Sequence, residues 1–589
     1  GTNIVGMISP LGSMNSVAAG IAWAEQLMGQ DSVVLAYIGD GGTSTGAFHE
    51  AINFIGARGL PVITVIENNQ WAYGTPNDQQ FGCEMLAHRG IGYGMPGLRV
   101  DGTDLAAMYE ATREAVERAR AGGGPTLIES LTMRMRGHAE HDDQHYVPQS
   151  VLEAWAKRDP VDQFLAWLRD GNRLPGVDVD AMKAEIDEAV LASVDNARHA
   201  PEPGLETALL GLYEGDGGED LPIPDNGSNV SLAPSPGQIA ERARAHSVEV
   251  RSRPGADSKV TPVPEPGSPA TYLEAIRECV RWRMKEDARV VALGEDVGGM
   301  GGAFRVTEGF LAEFGDQRVV DMPISEMAIV GSAIGLALRG LRPVAEMQFS
   351  DFVASGFNEL VNNAATFRYR IGCGIPMVVR LPSAGGVGAG PFHSLNPEGW
   401  FAATPGLKIV IPATVEDAWG LMNTAIDDGD PVLFLEQKYF YRRLKGSLPP
   451  RDHRTPLGKA RVAREGSDIT VVTWGLGVER CTEAADRLGD EADVEIIDLR
   501  SIVPWDKEAV AASVRKTSRL LVMHEARRTL GFGAEIAAWA SEHLFEWLDA
   551  PVKRVAAEDI PIPSNKGLER AVTPQVDDVH LALEDLLAW

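Results

Sequence analysis

The chain has 589 residues, 44% hydrophobic and 23% charged, which at roughly 150 residues per domain is enough for about three or four cores. Its 54 basic and 83 acidic side chains give a net charge of -29, a surface that repels phosphate backbones and excludes nucleic acid as a general partner. Four cysteines, Cys83, Cys279, Cys373 and Cys481, stand far apart with no C-x-x-C pair, which argues against a disulfide scaffold, a structural zinc site or an iron–sulfur cluster and fits a reducing compartment. No apolar run approaches the about 18 residues of a membrane span, and the start at Gly1 shows no basic n-region of a signal peptide. The expectation is a soluble, cytoplasmic protein without a membrane partner.

Residues 1–200 alternate short apolar runs with helical spacing. Ser32–Ile38 (SVVLAYI) and Leu60–Ile66 (LPVITVI) read as buried strands, and Gly46–Arg58 between them as a helix that Ser44 or Thr45 can cap. That is a βαβ unit, so a parallel sheet covered by helices is expected. Pro125–Thr132 reads as a third strand after a helical stretch over Asp104–Arg120. From 201 to 269 the chain turns to Pro, Gly, Ser and charge, which cannot bury enough apolar surface to offset its ordering entropy. It reads as an extended linker with one short helix over Ile239–Ala245. A second α/β region spans 270–455, with strands at Val290–Leu293, Val344–Phe349 and Pro376–Arg380. A third spans 456–589, with strands at Asp468–Thr473, Val494–Ile497 and Leu520–His524. The expected fold class is α/β, three domains with parallel or mixed sheets flanked by helices.

Gly39-Asp40-Gly41 follows the first strand and Asn68-Asn69 the second, 28 and 29 residues after Asp40. Alone, G-D-G reads as a turn. The pair, however, lies past the ends of adjacent parallel strands, the edge where open α/β sheets bind ligands. A carboxylate, an amide oxygen and glycine N–H groups there suit a hard cation bridging a diphosphate. Mg²⁺ takes oxygen ligands and completes its shell with phosphate and water.

G-D-G with a following N-N resembles the thiamine diphosphate fingerprint. The surrounding GDGGTSTGAFHEAINFIGARGLPVITVIENNQWAYGT is similar to the alpha subunit of the decarboxylating first component of 2-oxo acid dehydrogenase complexes. The resemblance implies that Asp40, Asn69 and the backbone carbonyl of Trp71 hold Mg²⁺. It also implies that Gly39, Gly41 and Gly42 line the diphosphate, the latter two through their N–H groups. GEDVGGMGGAFRVTEGF, DMPISEMAIVGSAIGLALRGLRPVAEMQF and GPFHSLNPE resemble the beta subunit of the same enzymes.

By that likeness Glu326 contacts the aminopyrimidine, shares a proton with its ring nitrogen and so helps to remove the thiazolium C2 proton. Glu295 would support it, since two acids in one low-dielectric pocket push one pKa up and keep a shared proton. Without the likeness, Glu326 reads as a surface or capping residue and Glu295 as structural. His138 in MRMRGHAEHDD matches a histidine at the mouth of the cofactor channel, and His393 in PFHSLNPE one in the beta-subunit active site. Their implied roles are binding the 2-oxo acid carboxylate, transferring protons and orienting the lipoyl group. The alternative for each is a structural or solvated loop histidine. His138, His141 and His145 with Asp142 and Asp143 also invite a metal-site reading, but Gly137 and the polar neighbours favour a solvated loop. The third region, with IIDLRSIVPWDKE and HEARRTLGFGAEIAAW, resembles the C-terminal domain shared with transketolases. By resemblance it supports a dimer and helps dock the acyltransferase core; otherwise it is pure scaffold.

Three departures bear on function. Gly1–Gly20 matches a stretch that the family precedes with a long segment bearing a Tyr-Arg pair for the diphosphate, so a longer protein or another chain is expected to complete that site. Arg136 stands at the first histidine of the family's H-G-H-S and is expected on an anionic substrate group or a cofactor phosphate. Ala139 replaces the regulatory serine, which excludes phosphorylation control there. Two subunit-like halves on one chain imply a homodimer with two sites.

The resulting expectation is oxidative decarboxylation of a 2-oxo acid with reductive acylation of a lipoyl group on a partner acyltransferase. AEMQFSDF and HSLNPE look nearer the branched-chain than the pyruvate type. The alternative is transfer of a two-carbon ketol unit from a ketose phosphate to a lipoyl or acyl-carrier partner, with which Arg136 is compatible. A cofactor-free scaffold conflicts with the retained Asp40, Asn69, Glu326 and His393.

Overall fold

In the computed structural model, which describes residues 3–171, 173, 176–202, 204–216 and 263–589, the apolar runs form parallel sheets and the stretches of helical spacing cover them. The short helix expected over 239–245, and most of the linker around it, lie outside the described residues. The chain falls into two compact units, Ser32–Glu219 and a larger one formed by Gly1–Asp31 with Asp220–Trp589. Helix α1 (Ser13–Leu27) therefore belongs to the larger unit although its sequence neighbours build the smaller one. Among the described residues, no helix is long and apolar enough to cross a membrane.

The smaller unit is built on β1 (Val34–Gly39), α2 (Gly46–Arg58), β2 (Val62–Asn68), β3 (Gly97–Asp101), α3 (Leu105–Arg120) and β4 (Thr126–Leu131). The strands run parallel in the order β1-β2-β4-β3. β2 reads VITVIEN and is buried at all but Glu67, the continuous apolar run of a strand covered on both faces. Thr45 caps α2 by accepting the Phe48 N–H at 3.3 Å, and Gly59 ends it in the left-handed region at φ 62°. Phe48, Ile52, Phe54 and Ile55 are fully buried, each worth about 1.5–3 kcal/mol of transfer free energy. This burial fixes the turn between β1 and α2 that carries Asp40.

The larger unit holds α4 (Tyr272–Glu286), β5 (Val290–Gly294), β6 (Val319–Asp321), α5 (Glu326–Leu338), β7 (Arg342–Glu346), β8 (Val378–Ser383), β9 (Lys408–Val410), α6 (Val415–Asp427) and β10 (Val432–Gln437). It continues with β11 (Arg461–Arg464), β12 (Ile469–Thr473), α7 (Leu476–Leu488), β13 (Val494–Asp498), β14 (Ser501–Val503), β15 (Leu520–Arg527), α8 (Phe532–His543), β16 (Lys553–Ala557), α9 (Lys566–Val572) and α10 (Val576–Leu587). Seven strands form one sheet in the order β14-β9-β10-β8-β7-β5-β6, parallel except for β14. Five form the other, β11-β13-β12-β15-β16.

The strand expected over 344–349 leaves the sheet after Glu346. Met347 still donates its N–H to the Arg380 carbonyl at 3.1 Å, and the chain then winds into a 3₁₀ turn over Ser350–Ala354. α5 is apolar around its whole circumference and packs on α1 through small residues. A Cβ on Gly335 would stand 2.1 Å from the Val17 carbonyl oxygen, and one on Gly20 at 2.1 Å from that of Ser332. Only glycine permits so close a crossing, and the crossing fixes the helix whose first residue is Glu326.

Candidate active site

In the smaller unit the C-terminal ends of β1 and β2 present Asp40 and Asn69 side by side. Asp40 is 1% exposed and opens a 3₁₀ turn over Gly41–Ser44, whose Thr43 hydroxyl donates to the Asp40 carbonyl at 2.6 Å. Burial pushes the Asp40 carboxyl up; its own N–H, those of Asn69 and Gly41, and the Arg134 charge pull it back part of the way. Its Oδ2 is buried with no hydrogen-bond partner. Such an oxygen is the kind of group a cation satisfies.

The two asparagines divide the work. Asn68 is fully committed inside the protein, donating to Glu129 at 2.7 Å and accepting from Gln70 N–H at 3.1 Å and Asn77 at 2.6 Å. Among the described residues Asn69 Oδ1 accepts only the Trp71 N–H, at 3.2 Å, which leaves a lone pair on that oxygen. Gln70 and Tyr73 both have positive φ, 72° and 52°, so the short hairpin of Trp71–Ala72 and Thr75–Pro76 is held in a bent shape. Gly41 must be glycine because a Cβ would meet that of Ala72 at 2.5 Å, whereas at Gly39 a Cβ would meet nothing within 4 Å. An orphaned carboxylate oxygen, an amide oxygen and open space over Gly39 fit a hard cation with a diphosphate. The Trp71 carbonyl accepts from Arg134 Nη1 at 3.3 Å.

The four residues of M-R-M-R become progressively more exposed along the stretch. Met133 is buried and Arg134 half-buried, donating to the Tyr73 carbonyl at 2.8 Å and the Tyr146 hydroxyl at 2.6 Å, while Arg136 is exposed. The sequence singles out Arg136; the arginine that organises this loop is Arg134. His138 is exposed on an irregular loop, its ring 4.9 Å from that of Tyr73. Asp142 gathers the loop by accepting from the Tyr146 hydroxyl at 2.5 Å, the His138 N–H at 2.6 Å and the Gln144 N–H at 3.0 Å, which holds its carboxyl down at about 2.

In the larger unit Glu295, Glu326 and His393 each follow the C-terminal end of a strand of the seven-stranded sheet. Glu295 follows β5 directly and is 7% exposed. β6 is its parallel neighbour, with Gly294 opposite Asp321, and leads through the exposed Ile324 to Glu326, half-buried at the start of α5. His393 lies in the loop after β8, its ring 4.4 Å from Phe349 and 5.6 Å from Phe352, both edge-on.

Sequence reasoning missed the charges beneath that edge. Arg380 on β8 makes a paired contact to Glu436 on β10, at 2.6 and 2.9 Å, and also bonds Glu346 on β7. The Tyr441 hydroxyl closes the cluster on Glu436 at 2.6 Å. The signal was present as charges within three largely apolar strands: Glu346 in RPVAE, which also opens on Arg342, Arg380 in VVRLPS and Glu436 in VLFLEQ. Charges of both signs at one level of a buried parallel sheet have to pair.

Known families match the chain in three stretches. Residues 1–206 match the family model for the dehydrogenase E1 component, residues 268–443 that for the transketolase pyrimidine binding domain, and residues 458–579 that for the transketolase C-terminal domain. The 2-oxoisovalerate dehydrogenase subunit beta of Bacillus subtilis is 44% identical over 320 residues, 54% of this chain and 98% of the relative. The pyruvate dehydrogenase E1 component subunit beta of Acholeplasma laidlawii is 44% identical over 319 residues, 54% and 97% of the two chains. A solved split-gene transketolase, an inactive beta4 tetramer, aligns over 54% of this chain and 98% of its own at 22% identity and a TM-score of 0.44. An alpha-like region followed by pyrimidine-binding and C-terminal domains, with beta-subunit relatives matched along nearly their whole length, makes this chain a member of the thiamine diphosphate-dependent 2-oxo acid dehydrogenase E1 family, with both subunit-like halves on one polypeptide.

Proposed function

We propose that this protein oxidatively decarboxylates a 2-oxo acid with a small aliphatic side chain and passes the acyl group to a lipoyl group on a partner acyltransferase, in the cytoplasm and as a homodimer. The observation that carries the reading is Asp40, a buried carboxylate with an oxygen that nothing among the described residues satisfies, beside the open amide oxygen of Asn69. Asp40, Asn69 and the Trp71 carbonyl would hold Mg²⁺, with Arg134 giving up that carbonyl, and Gly39, Gly41 and Gly42 would face the diphosphate. We assign this role to residues 1–200, pyrimidine binding to 270–455 and support to 456–589. When bound, thiamine diphosphate supplies the nucleophilic carbon and the electron sink of the reaction.

Glu326 would hold a proton at the pyrimidine nitrogen, with Glu295 as the supporting carboxylate. His393 and His138 would bind the substrate carboxylate and move protons at the carbon that loses CO₂. Arg136, exposed on the His138 loop, would meet an anionic group of the substrate or cofactor. The relatives' names include both pyruvate and 2-oxoisovalerate enzymes, and the AEMQFSDF and HSLNPE stretches favour the branched donor.

The test supplies the full chain with thiamine diphosphate, Mg²⁺ and an artificial electron acceptor, and offers pyruvate, branched 2-oxo acids and ketose phosphates in parallel. Acceptor reduction with CO₂ release from a 2-oxo acid is expected. Reduction only with a ketose phosphate, without CO₂, would overturn it in favour of ketol transfer, the reading that the exposed Arg136 would then serve.

A further inference from the structure

The loop that carries His393 leaves β8 at Ser383 in an unusual backbone. Ala384 sits at φ 67°, and Gly386, Gly388 and Gly390 follow at 85°, 77° and 81°. Such a run keeps one shape only if its surroundings over-determine it. Two buried charges of opposite sign do so. Lys438, just past β10 and 4% exposed, donates from Nζ to the Ala384 carbonyl at 2.6 Å and to that of Pro382 at 3.4 Å. Glu569, on α9 and 2% exposed, accepts the N–H groups of Gly386 and Gly388 at 2.8 and 2.9 Å. Successive N–H groups turned toward one anion form a nest, and here the anion is a side chain of the chain itself. A Cβ on Gly385 would stand 2.8 Å from Glu569 Oε1, so the carboxylate enters only because the loop is glycine-rich.

Lys438 reaches His393 through neighbouring groups, and Glu569 holds the loop a few residues before it. Ala384 donates its N–H to the Leu395 carbonyl at 3.0 Å, and Leu395 in turn donates to Asp351 at 3.1 Å, two residues beyond the histidine. The Lys438 ammonium lies 5.8 Å from the centroid of the Phe349 ring, whose partner at 4.4 Å is the imidazole of His393. A lysine buried against carbonyls rather than carboxylates is expensive to keep. Burial pushes its amine down to about 7, against the opposing pull of Asp351, Glu525 and Glu569.

We propose that Lys438 and Glu569 are positioning residues that bracket the 384–393 loop and set where the His393 imidazole stands. The C-terminal region, through Glu569, then shapes a site to which it contributes no contacting group. The inference rests on the reading of His393 as an active-site group, and its test separates the two.

In the full chain without cofactor, hydrogen exchange of the 384–395 segment is compared among wild type, Lys438→Met and Glu569→Gln, with β12 as internal reference. Exchange at least about tenfold faster in the loop and unchanged in β12 is expected. With thiamine diphosphate, Mg²⁺, an artificial acceptor and the preferred 2-oxo acid, each variant is expected to lose about ten- to a hundredfold in kcat with KM altered less than about threefold, and Lys438→Arg to regain most of the loss. In a His393→Ala background neither substitution should lower kcat further, because both act through that residue. Unchanged loop exchange, or losses that multiply with His393→Ala, would overturn the proposal. Full activity of His393→Ala alone would instead sink the role given to His393, while the exchange comparison still decides whether the brackets hold the loop. Should Lys438→Met fail to fold, Glu569→Gln carries the same comparison.

Discussion

Asp40 shows how a buried carboxylate weighs on the protein that carries it. Its carboxyl is buried, pushed up by that burial and left with one unsatisfied oxygen. Asp40→Asn should therefore stabilise the cofactor-free chain, by about 1 kcal/mol, while abolishing the heat of thiamine diphosphate and Mg²⁺ binding. Denaturant titration and calorimetry on the same preparation check both halves, and a variant that loses stability and keeps binding would remove Asp40 from the site. Asp40 and Asn69 are legible in the sequence because each follows its own strand within one or two residues. Lys438 and Glu569 are not. Their acceptors and donors lie 54 and 181–183 residues away along the chain, and no local spacing announces them. Arg134 and Arg136 stand alike in the motif, and only the fold, which half-buries Arg134 against Tyr73 and Tyr146 and leaves Arg136 exposed, tells them apart.

Among elements, the glycines of α1 and α5 contrast with that of the β1 turn. Gly335→Ala would force a methyl to 2.1 Å from the Val17 carbonyl in a contact between backbones, and an overpacked crossing of this kind costs about 1–3 kcal/mol. Gly39→Ala meets nothing within 4 Å and should leave the unfolding midpoint unchanged while weakening cofactor binding. Unfolding curves of both variants, with cofactor affinity for the second, test the pair; equal loss of stability would contradict it. Strands and helices were the most readable level. β2, α2, β8 and β15 lie within a few residues of where apolar runs and helical spacing put them, because parallel strands buried on both faces leave an unbroken apolar signature. The partnership of α1 was not readable. Small residues at a helix crossing resemble ordinary helix formers until the partner is known.

Across the whole molecule, the region between the two sheets of the larger unit concentrates buried titratable groups. Glu398, 1% exposed, has its carboxyl pushed up to about 7 by burial, opposed by its own backbone N–H and by Trp474. Lys438 has its amine pushed down to about 7. Between about pH 4.5 and 7 the folded state keeps a proton on Glu398 that the unfolded chain releases, so this group's contribution falls as pH rises. Between about pH 7 and 10.5 the unfolded chain keeps a proton on Lys438 that the folded state has lost, so that contribution grows as pH rises. Each slope is at most about 1.4 kcal/mol per pH unit. Urea midpoints should show Glu398→Gln flattening the acid side and Lys438→Met the alkaline side of a shallow minimum near pH 7. Parallel curves for all three proteins would show that neither group titrates in this way.

Helix α1 is joined by its peptide bonds to the smaller unit and by its packing to α5 in the larger one. It works as a clasp. A protein made as two polypeptides, 1–219 and 220–589, would keep α1 on the first piece and its packing partner α5 on the second. One gene could divide into two at that point, or two could fuse there, with the same joint already in place.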